Sequence, residues 1–241
     1  MQIFQYNWTF YAAAFLLGGA GLVLLLTISL PLWLRVGLWV AIVAGLFWSV
    51  ASLAVSHYVY DSSGLYEFDW LNDLLPHPPL VWVNIHAGLD ETSALLAQRY
   101  PQAHGQTLDI YDPTQMTEPA IKRARVLTAS AWPATPADFR ALPVADQSCD
   151  VVFVIFSAHE LRAEAARRLF LGELHRILQA QGKVILVEHL RDLPNFLAFG
   201  PGAWHFLSRS TWLRDARAVQ FTVATELKLT PFVRAFCWQK S

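Results

Sequence analysis

Polar side chains follow directly after apolar runs in the part of this 241-residue chain beyond residue 80. Asp109 follows one run, the pair His159 and Glu160 follows another, and Glu188 with His189 ends a third. In an open sheet of parallel strands, such positions lie at the carboxyl edge, where ligands bind. A carboxylate there can accept hydrogen bonds from a diol, and a histidine can exchange a proton near neutral pH. The spacing therefore predicts a ligand site at one edge of a sheet.

A strand-helix-strand unit must position the pair His159 and Glu160. The run Val151–Phe156 is apolar throughout, as a strand buried on both faces requires, and Val184–Val187 is a second such run. Gly182 marks the end of the helix between them. Strands joined in this way belong to a doubly wound α/β domain. Apolar residues at three- and four-residue spacings predict the buried stripe of that helix: Leu169, Leu171, Leu174, Ile177 and Leu178.

The polar residues match no linear metal or nucleophile motif. The chain has no H-E-x-x-H sequence and no G-x-S-x-G elbow, and its two cysteines, Cys149 and Cys237, lie far apart. We therefore expect no metal ion. The net charge is −1 and no dense Lys/Arg cluster occurs, so we also expect no nucleic-acid partner.

The charge distribution divides the chain into two unlike parts. Arg35 is the one charged side chain in residues 1–60, so the remaining residues carry 17 of the 18 Lys and Arg and all 19 Asp and Glu. We expect two transmembrane helices in 1–60, an interfacial linker or lid helix in 61–79 and an α/β domain in 80–241.

Two apolar segments predict the membrane part. Trp8–Leu30 and Val36–Val59 are each long enough to cross a bilayer core of about 30 Å, and the short break between them favours a helical hairpin. Small residues around Gly18–Gly21 and Ala41–Gly45 would let the helices approach closely. A cleaved signal peptide is the alternative for the first segment, although its start lacks Lys and Arg.

The order of residues from 142 to 191 resembles the fourth and fifth strands of class I S-adenosylmethionine-dependent methyltransferases. Cys149 and Gln181 depart from that pattern. The resemblance implies a Rossmann-like sheet ending in an antiparallel hairpin, with Phe221–Thr225 pairing against Phe232–Phe236, and S-adenosylmethionine as cofactor. The residues that carry the match are Leu142, Pro143, Asp146, Asp150, Val151, Val152, His159, Leu161, Glu173, Arg176, Leu178 and Gly182.

The resemblance places the cofactor loop after a strand at Leu80–Ile85. In the family this loop reads acid-x-G-x-G-x-G, whereas here Asn84 replaces the acid, and His86 and Asp90 replace two glycines. Gly88 alone keeps its place. The resemblance implies cofactor contacts from Asn84, His86, Ala87 and Gly88, while Asp90 has an ordinary alternative as a residue that begins the helix Thr92–Arg99.

Further cofactor contacts are implied at the ends of the next strands. Asp109, after the strand Thr107–Ile110, corresponds to the acid that holds ribose hydroxyls, and Ile110 adjoins it. A helix Gln115–Arg125 and a third strand Val126–Ala131 should follow, where Ser130 stands in place of the family's acid. Asp138, from the Pro133–Pro136 insertion, is the alternative. Phe156 ends the fourth strand and completes the predicted cofactor site.

The resemblance implies a methyltransferase, with His159 as a candidate general base or, alternatively, a capping or packing histidine. The aromatic loop Phe196–Phe206 and the membrane helices favour an apolar or amphipathic small-molecule acceptor near the lipid bilayer. Because the cofactor is made in the cytosol, we expect an integral protein of the bacterial inner membrane whose domain faces the cytoplasm. The altered glycine loop leaves open a second hypothesis, a non-catalytic scaffold subunit of a membrane assembly. The sequence leaves the oligomeric state open.

Overall fold

The computed structural model describes residues 2–127 and 132–241 of the chain. Two helices come first, α1 (Gln2–Thr27) and α2 (Leu32–His57), and they pack against each other as a hairpin. Both are long and apolar enough to cross a membrane, judged by length and composition alone. The sequence expectation of two apolar N-terminal helices is confirmed.

One glycine brings the two helices together. At Gly21 a Cβ atom would lie 3.1 Å from Leu38 Cδ1 and 3.3 Å from Ile42 Cδ1, so only a hydrogen atom fits comfortably there. The other glycines predicted to line the contact do not approach closely: a Cβ atom would meet nothing within 4 Å at Gly18, Gly19 and Gly45.

The segment 61–79 forms short turns in place of one amphipathic helix. A π-helical turn at Tyr58–Ser62 extends α2, and two 3-10 helices follow at Leu65–Glu67 and Asp69–Asp73. Phe68 lies between them with φ of 60°, a left-handed conformation that ends the first turn. The apolar side of the segment is nevertheless buried, at Leu65, Phe68 and Leu71.

Within residues 2–127 and 132–241, seven strands form one sheet in the order β3-β2-β1-β4-β5-β7-β6. Strands β1 to β5 are parallel, and β7 is antiparallel between β5 and β6. This is the predicted Rossmann-like methyltransferase fold with a C-terminal hairpin. The strands are β1 (Val81–His86), β2 (His104–Asp109), β3 (Thr135–Pro136), β4 (Cys149–Ile155), β5 (Leu178–His189), β6 (Phe221–Lys228) and β7 (Val233–Lys240). The helices are α3 (Ser93–Arg99), α4 (Pro119–Leu127), α5 (Glu164–Ile177), α6 (Leu193–Phe199) and α7 (Arg209–Ala218).

The third strand differs from its predicted position at Val126–Ala131. Helix α4 continues to Leu127, and the rest of the predicted strand, residues 128–131, lies outside the described part of the chain. Thr135–Pro136 forms the strand beside β2. Both of its residues are exposed, so it lacks the apolar run by which a buried strand is identified.

The buried stripe predicted for the helix α5 is confirmed at Leu171, Leu174, Ile177 and Leu178, and Leu169 is its exception. Leu169 is 55% exposed, and its neighbour Phe170 is fully buried. The three- and four-residue spacing of a buried stripe can include either Leu169 or Phe170, because the two residues are adjacent and both are apolar. The helix buries Ala166, Phe170, Leu171, Leu174 and Ile177 against the sheet.

Gly182 lies within β5 and not at a turn before it. The pairing between β4 and β5 shifts at this point, from Cys149 opposite Leu178 to Val151 opposite Lys183. A Cβ atom at Gly182 would lie 2.9 Å from the Asp150 carbonyl oxygen, so the glycine permits a close backbone approach at the irregularity.

The helical hairpin contacts elements that follow the carboxyl ends of β2 and β5. A Cβ atom at Gly200 would lie 2.6 Å from Trp48 Cδ2 of α2, and the Trp48 ring meets Phe196 edge-on at 6.2 Å. On the other side, Arg123 Nε donates to the Tyr6 carbonyl oxygen at 2.6 Å. The membrane-spanning candidates therefore pack beside the edge where the sequence predicts a site.

A buried ion pair holds the loop that follows the 3-10 helix Ala158–Glu160, which carries His159 and Glu160. Arg167 Nε donates to Asp215 Oδ2 at 2.9 Å, and both side chains are at most 4% exposed. Arg167 Nη1 also donates to the Leu161 and Arg162 carbonyl oxygens at 3.0 and 2.6 Å. Asp215 thus keeps the guanidinium in place, and the guanidinium fixes the end of the loop.

We expect Asp215→Ala to lower the free energy of unfolding by about 3–5 kcal/mol, because it leaves the Arg167 charge buried and uncompensated. Urea titration in detergent, followed by tryptophan fluorescence, measures the loss. Arg214→Ala is the control: Arg214 also contacts Asp215, at 3.3 Å, but is 56% exposed. Its loss should be about 1 kcal/mol or less. Equal losses in both variants would contradict the role of the buried pair.

Candidate functional site

Asn84 lies in the interior of β1 and fastens this strand to the start of α3. Its Nδ2 donates to Thr92 Oγ1 at 2.9 Å and to Ser93 Oγ at 2.7 Å. Its Oδ1 is buried and accepts no hydrogen bond from the described residues. A buried oxygen with a free lone pair is a strong acceptor for an added N–H group, which fits the predicted cofactor contact.

The turn after β1 requires a glycine. Gly88 has φ of +98°, and its N–H donates to His86 Nδ1 at 3.2 Å. The His86 side chain is buried; burial lowers its pKa, and the nearby Asp109 carboxylate opposes this only in part. Its Nε2 has no hydrogen-bond partner among the described residues. His86, predicted to contact the cofactor, is thus a neutral ring that shapes the loop.

Asp90 begins α3, which agrees with its ordinary alternative. Its Oδ1 accepts from the backbone N–H groups of Thr92 and Ser93 at 3.1 and 3.0 Å. Satisfying these unpaired N–H groups is the usual task of an acidic residue at a helix start.

Asp109 lies at the carboxyl end of β2, as predicted, and is covered by an arginine. Its Oδ1 accepts from the Tyr111 N–H at 3.0 Å, and its Oδ2 accepts from Arg125 Nη1 at 2.5 Å. The Arg125 guanidinium also lies over the Tyr111 ring at 4.4 Å and reaches the space beside Gly88. Ile110, the neighbouring candidate, is buried in the core and donates to the His86 carbonyl oxygen at 2.9 Å.

A small cavity of about 100 Å³ opens beside these residues. Ala87 and Phe156, two of the predicted contacts, line it. Phe156 has φ of 52°, a strained conformation for a residue with a large side chain. Tyr66 OH donates to Glu91 Oε2 at 2.8 Å across one side. The lining comprises Tyr66, Ala87, Leu89, Glu91, Thr92, Ile121, Ile155, Phe156 and Glu160.

Aromatic rings surround His189 next to the cavity. Phe156 and Phe206 stack on the imidazole, with ring centroids at 5.1 and 4.9 Å, and Phe199 meets it edge-on at 5.6 Å. His189 Nδ1 donates to the Phe232 carbonyl oxygen at 3.0 Å, so Nε2 accepts from Tyr60 OH at 2.9 Å. Burial lowers the pKa of His189 to about 4. The ring is therefore neutral and belongs to an apolar wall.

His159 contacts the buried carboxylate of Glu188. Its Nδ1 lies 2.7 Å from Glu188 Oε2, and its backbone N–H donates to Glu188 Oε1 at 3.2 Å. Burial alone would lower the pKa of His159, but the charge of Glu188 and hydrogen bonds to Glu160 and Glu188 raise it to about 10. The other ring nitrogen, Nε2, faces Glu160 Oε1 at 3.3 Å, and the role of His159 as a general base stays a prediction.

Sequence reasoning missed three residues that shape the site: Arg125, Tyr66 and His205. The sequence assigns Arg125 only to a helix and Tyr66 only to the linker. His205 lies in the aromatic loop after α6, and the structure brings it to 3.6 Å from Glu160 Oε1. No linear spacing connects His205 with residues 159 and 160, so only the folded chain reveals the contact. Ser130, a predicted cofactor contact, lies outside the described residues.

We expect acid to destabilise the protein through His189. Its folded pKa of about 4 lies below the ordinary value of 6.5, so its contribution to stability is present above pH 6.5 and is lost as the pH falls through 4. The loss is on the order of 3 kcal/mol. His189→Phe keeps an apolar ring and should flatten the fall in melting temperature between these pH values. His77→Gln, at an exposed position, is the matched control for removing an imidazole. An unchanged slope in His189→Phe would contradict the assignment.

Comparison with known proteins agrees with the fold. Residues 88–186 match the family described as "Methyltransferase domain". No curated protein sequence matches the chain. A protein from Pyrococcus horikoshii is similar in structure, with a TM-score of 0.56 at 18% identity over 76% of this chain and 91% of that chain. An S-adenosylmethionine-dependent methyltransferase from Aquifex aeolicus gives 0.53 at 14% identity, over 74% and 93%.

A third similar structure is the geranyl diphosphate C-methyltransferase of Streptomyces coelicolor, determined with Mg²⁺, geranyl diphosphate and S-adenosyl-L-homocysteine. Its TM-score is 0.53 at 14% identity, over 74% of this chain and 79% of that chain. The part of this chain that follows the helical hairpin therefore has the fold of class I S-adenosylmethionine-dependent methyltransferases, and residues 88–186 carry the sequence pattern of a methyltransferase domain.

Proposed function

We propose that the protein is a membrane-anchored S-adenosylmethionine-dependent methyltransferase that acts on an apolar or amphipathic acceptor near the bilayer. The observation that carries the proposal is the placement of three residues in a domain of methyltransferase fold: Asn84 within β1, Gly88 in the turn that follows β1, and Asp109 at the carboxyl end of the adjacent strand β2. Ligands of open α/β sheets bind at this edge.

The residues present fit the cofactor in three respects. Asn84 Oδ1 is a buried acceptor without a partner, which suits an ammonium group. The left-handed turn at Gly88 lets backbone come close to a ligand. The Asp109 carboxylate can accept both hydroxyls of a ribose once Arg125 moves aside. When bound, S-adenosylmethionine supplies an electrophilic methyl group on its sulfonium.

The chain's own contribution to the reaction would be positioning and exclusion of water. Phe156, Phe206 and the neutral His189 form an apolar wall beside the cavity, and Tyr66 with Glu91 closes another side. Holding an acceptor in line with the methyl group converts an encounter between two molecules into a reaction within one complex. Orientation of this kind can supply about 7–11 kcal/mol of the barrier reduction.

The helical hairpin supports an acceptor that resides in or near a membrane. Trp48 of α2 packs against Phe196 and Gly200, which belong to the same segment, Phe196–Phe206, that contributes Phe206 to the aromatic wall. An acceptor with a long apolar part could then pass from the bilayer along this face. We further propose the bacterial inner membrane as the location, with the domain in the cytoplasm, where the cofactor is made.

One observation favours the scaffold alternative. The Arg125 guanidinium donates a hydrogen bond to the Asp109 carboxylate, and the Arg125 side chain fills the space beside Gly88. A chain that never binds the cofactor could keep this ion pair permanently. The two functions are separated by a direct binding measurement.

We expect calorimetric titration of the detergent-solubilised chain, in EDTA, to show binding of S-adenosylhomocysteine. Asp109→Ala should weaken that binding about 10- to 100-fold, because hydrogen bonds to a charged group contribute about 1.5–3 kcal/mol. Asp146→Ala is the matched control: Asp146 lies at the opposite edge of the sheet, before β4, and pairs with Arg176. If a chain with an intact melting transition shows no heat of binding, the enzyme proposal is contradicted and the scaffold alternative is favoured.

We also expect Arg125→Ala to bind S-adenosylhomocysteine about 2- to 5-fold more tightly than the unaltered chain, because a half-exposed ion pair that competes for Asp109 contributes up to about 1 kcal/mol. The same calorimetry measures the difference. Arg123→Ala, on the same helix but directed at the Tyr6 carbonyl, is the control. Weaker binding in Arg125→Ala would mean that the guanidinium helps to hold the ligand.

A further inference from the structure

We propose that His159, Glu160 and His205 bind a divalent transition-metal ion of the zinc class. One ligand atom from each side chain lies within 4.8 Å of the others. His159 Nε2 is 3.3 Å from Glu160 Oε1, and His205 Nε2 is 3.6 Å from the same oxygen. Ligands bound at about 2.0–2.1 Å in a tetrahedron lie about 3.3 Å apart, so the three side chains already have nearly the required spacing.

A carboxylate lies beside the other nitrogen of each imidazole, and at His159 it is hydrogen-bonded to the ring. His159 Nδ1 lies 2.7 Å from Glu188 Oε2, and His205 Nδ1 lies 3.5 Å from Glu118 Oε1. A histidine that donates its Nδ1–H to a carboxylate directs Nε2 to the other side, where a metal ion can displace the second proton and bind the lone pair, the usual arrangement around protein-bound metals. Here both Nε2 atoms face the same oxygen of Glu160.

Glu160 provides an independent sign that the cluster is incomplete. Its side chain is 6% exposed, and its Oε2 is buried without a hydrogen-bond partner among the described residues. Ordinary ion pairing between Glu160 and two histidines would use Oε1 twice and leave this second oxygen unsatisfied, at a cost of about 1–3 kcal/mol. A metal ion can bind both carboxylate oxygens or draw the group into a position where Oε2 is satisfied.

The loop that carries His205 is held in place by a contact outside the cluster. Arg162 donates to the carbonyl oxygens of His205 and Trp204. The buried Arg167 fixes the other side, because it donates to the carbonyl oxygens of Leu161 and Arg162. The two histidines are therefore positioned by the fold, as a preorganised metal site requires.

The donor set selects the class of ion. Two imidazole nitrogens and one carboxylate oxygen suit Zn²⁺, Co²⁺ or Ni²⁺, whereas Mg²⁺ and Ca²⁺ require oxygen ligands. Three protein ligands leave a fourth position open, the arrangement of catalytic and not structural zinc sites. Glu160 also lines the cavity. On the basis of the proposed function, the fourth ligand is an oxygen atom of the methyl acceptor.

The test uses the full-length chain in detergent, purified with a histidine-free tag and stripped with EDTA. Zn²⁺ is titrated in competition with a chromogenic chelator, and Co²⁺ binding is followed by its visible absorption, which reports the coordination number. We expect one ion per chain and a four-coordinate Co²⁺ spectrum. Glu160→Gln and His205→Gln should each weaken Zn²⁺ binding at least about 100-fold, and Glu188→Gln about 10- to 100-fold.

His175→Gln is the matched control, because His175 lies on α5 against Phe221 and outside the cluster. Melting transitions in EDTA identify any variant that fails to fold. If Glu160→Gln fails to fold, Glu160→Asp takes its place. Absence of stoichiometric binding, or equal affinity in His205→Gln and His175→Gln, would overturn the metal site. The calorimetry with S-adenosylhomocysteine is performed in EDTA, so failure of the metal site and failure of the proposed methyltransferase function remain distinguishable.

Discussion

The carboxylate of Glu188 is the constraint on which the site depends, because its side chain is fully buried at the end of the interior strand β5. A buried carboxylate must meet a positive charge or hydrogen-bond donors, since its desolvation is otherwise too costly. His159 supplies both, and this fixes its ring with Nε2 toward Glu160. His205 and Glu118 continue the alternation of acid and histidine to the surface. One buried charge thus orients a whole row of titratable side chains.

At the carboxyl ends of β1 and β2, away from Glu188, the contacts are made by Arg125. This arginine joins the end of β2 to α4 through Asp109, and it covers the glycine turn after β1. Helix α4 also contacts α1 through Arg123. A movement of α4 that accompanies displacement of the Arg125 side chain would therefore change the contact with α1, because the same helix makes both contacts.

The parts of the fold that were predictable are those with a repeated local signal. Strands β4 and β5 were identified because both faces are buried, and the site candidate Asp109 because it follows an apolar run. The strand at Thr135–Pro136 has no such run. On α5 only Leu169 is assigned to the wrong face, because its neighbour Phe170 is also apolar. His205 and Arg125 could not be identified from sequence, since packing between distant elements places them. The altered glycine loop was visible in the sequence, but its occupation by Arg125 was not.

The helical hairpin has a kinetic consequence for an enzyme of the proposed kind. A domain tethered to a bilayer meets a membrane-resident acceptor by lateral diffusion, so the encounter rate depends on the acceptor's mole fraction in the surface and not on its bulk concentration. Adding inert lipid at constant total acceptor would then slow turnover by surface dilution. The two N-terminal helices would thereby make the composition of the membrane itself a variable that controls the flux through the site.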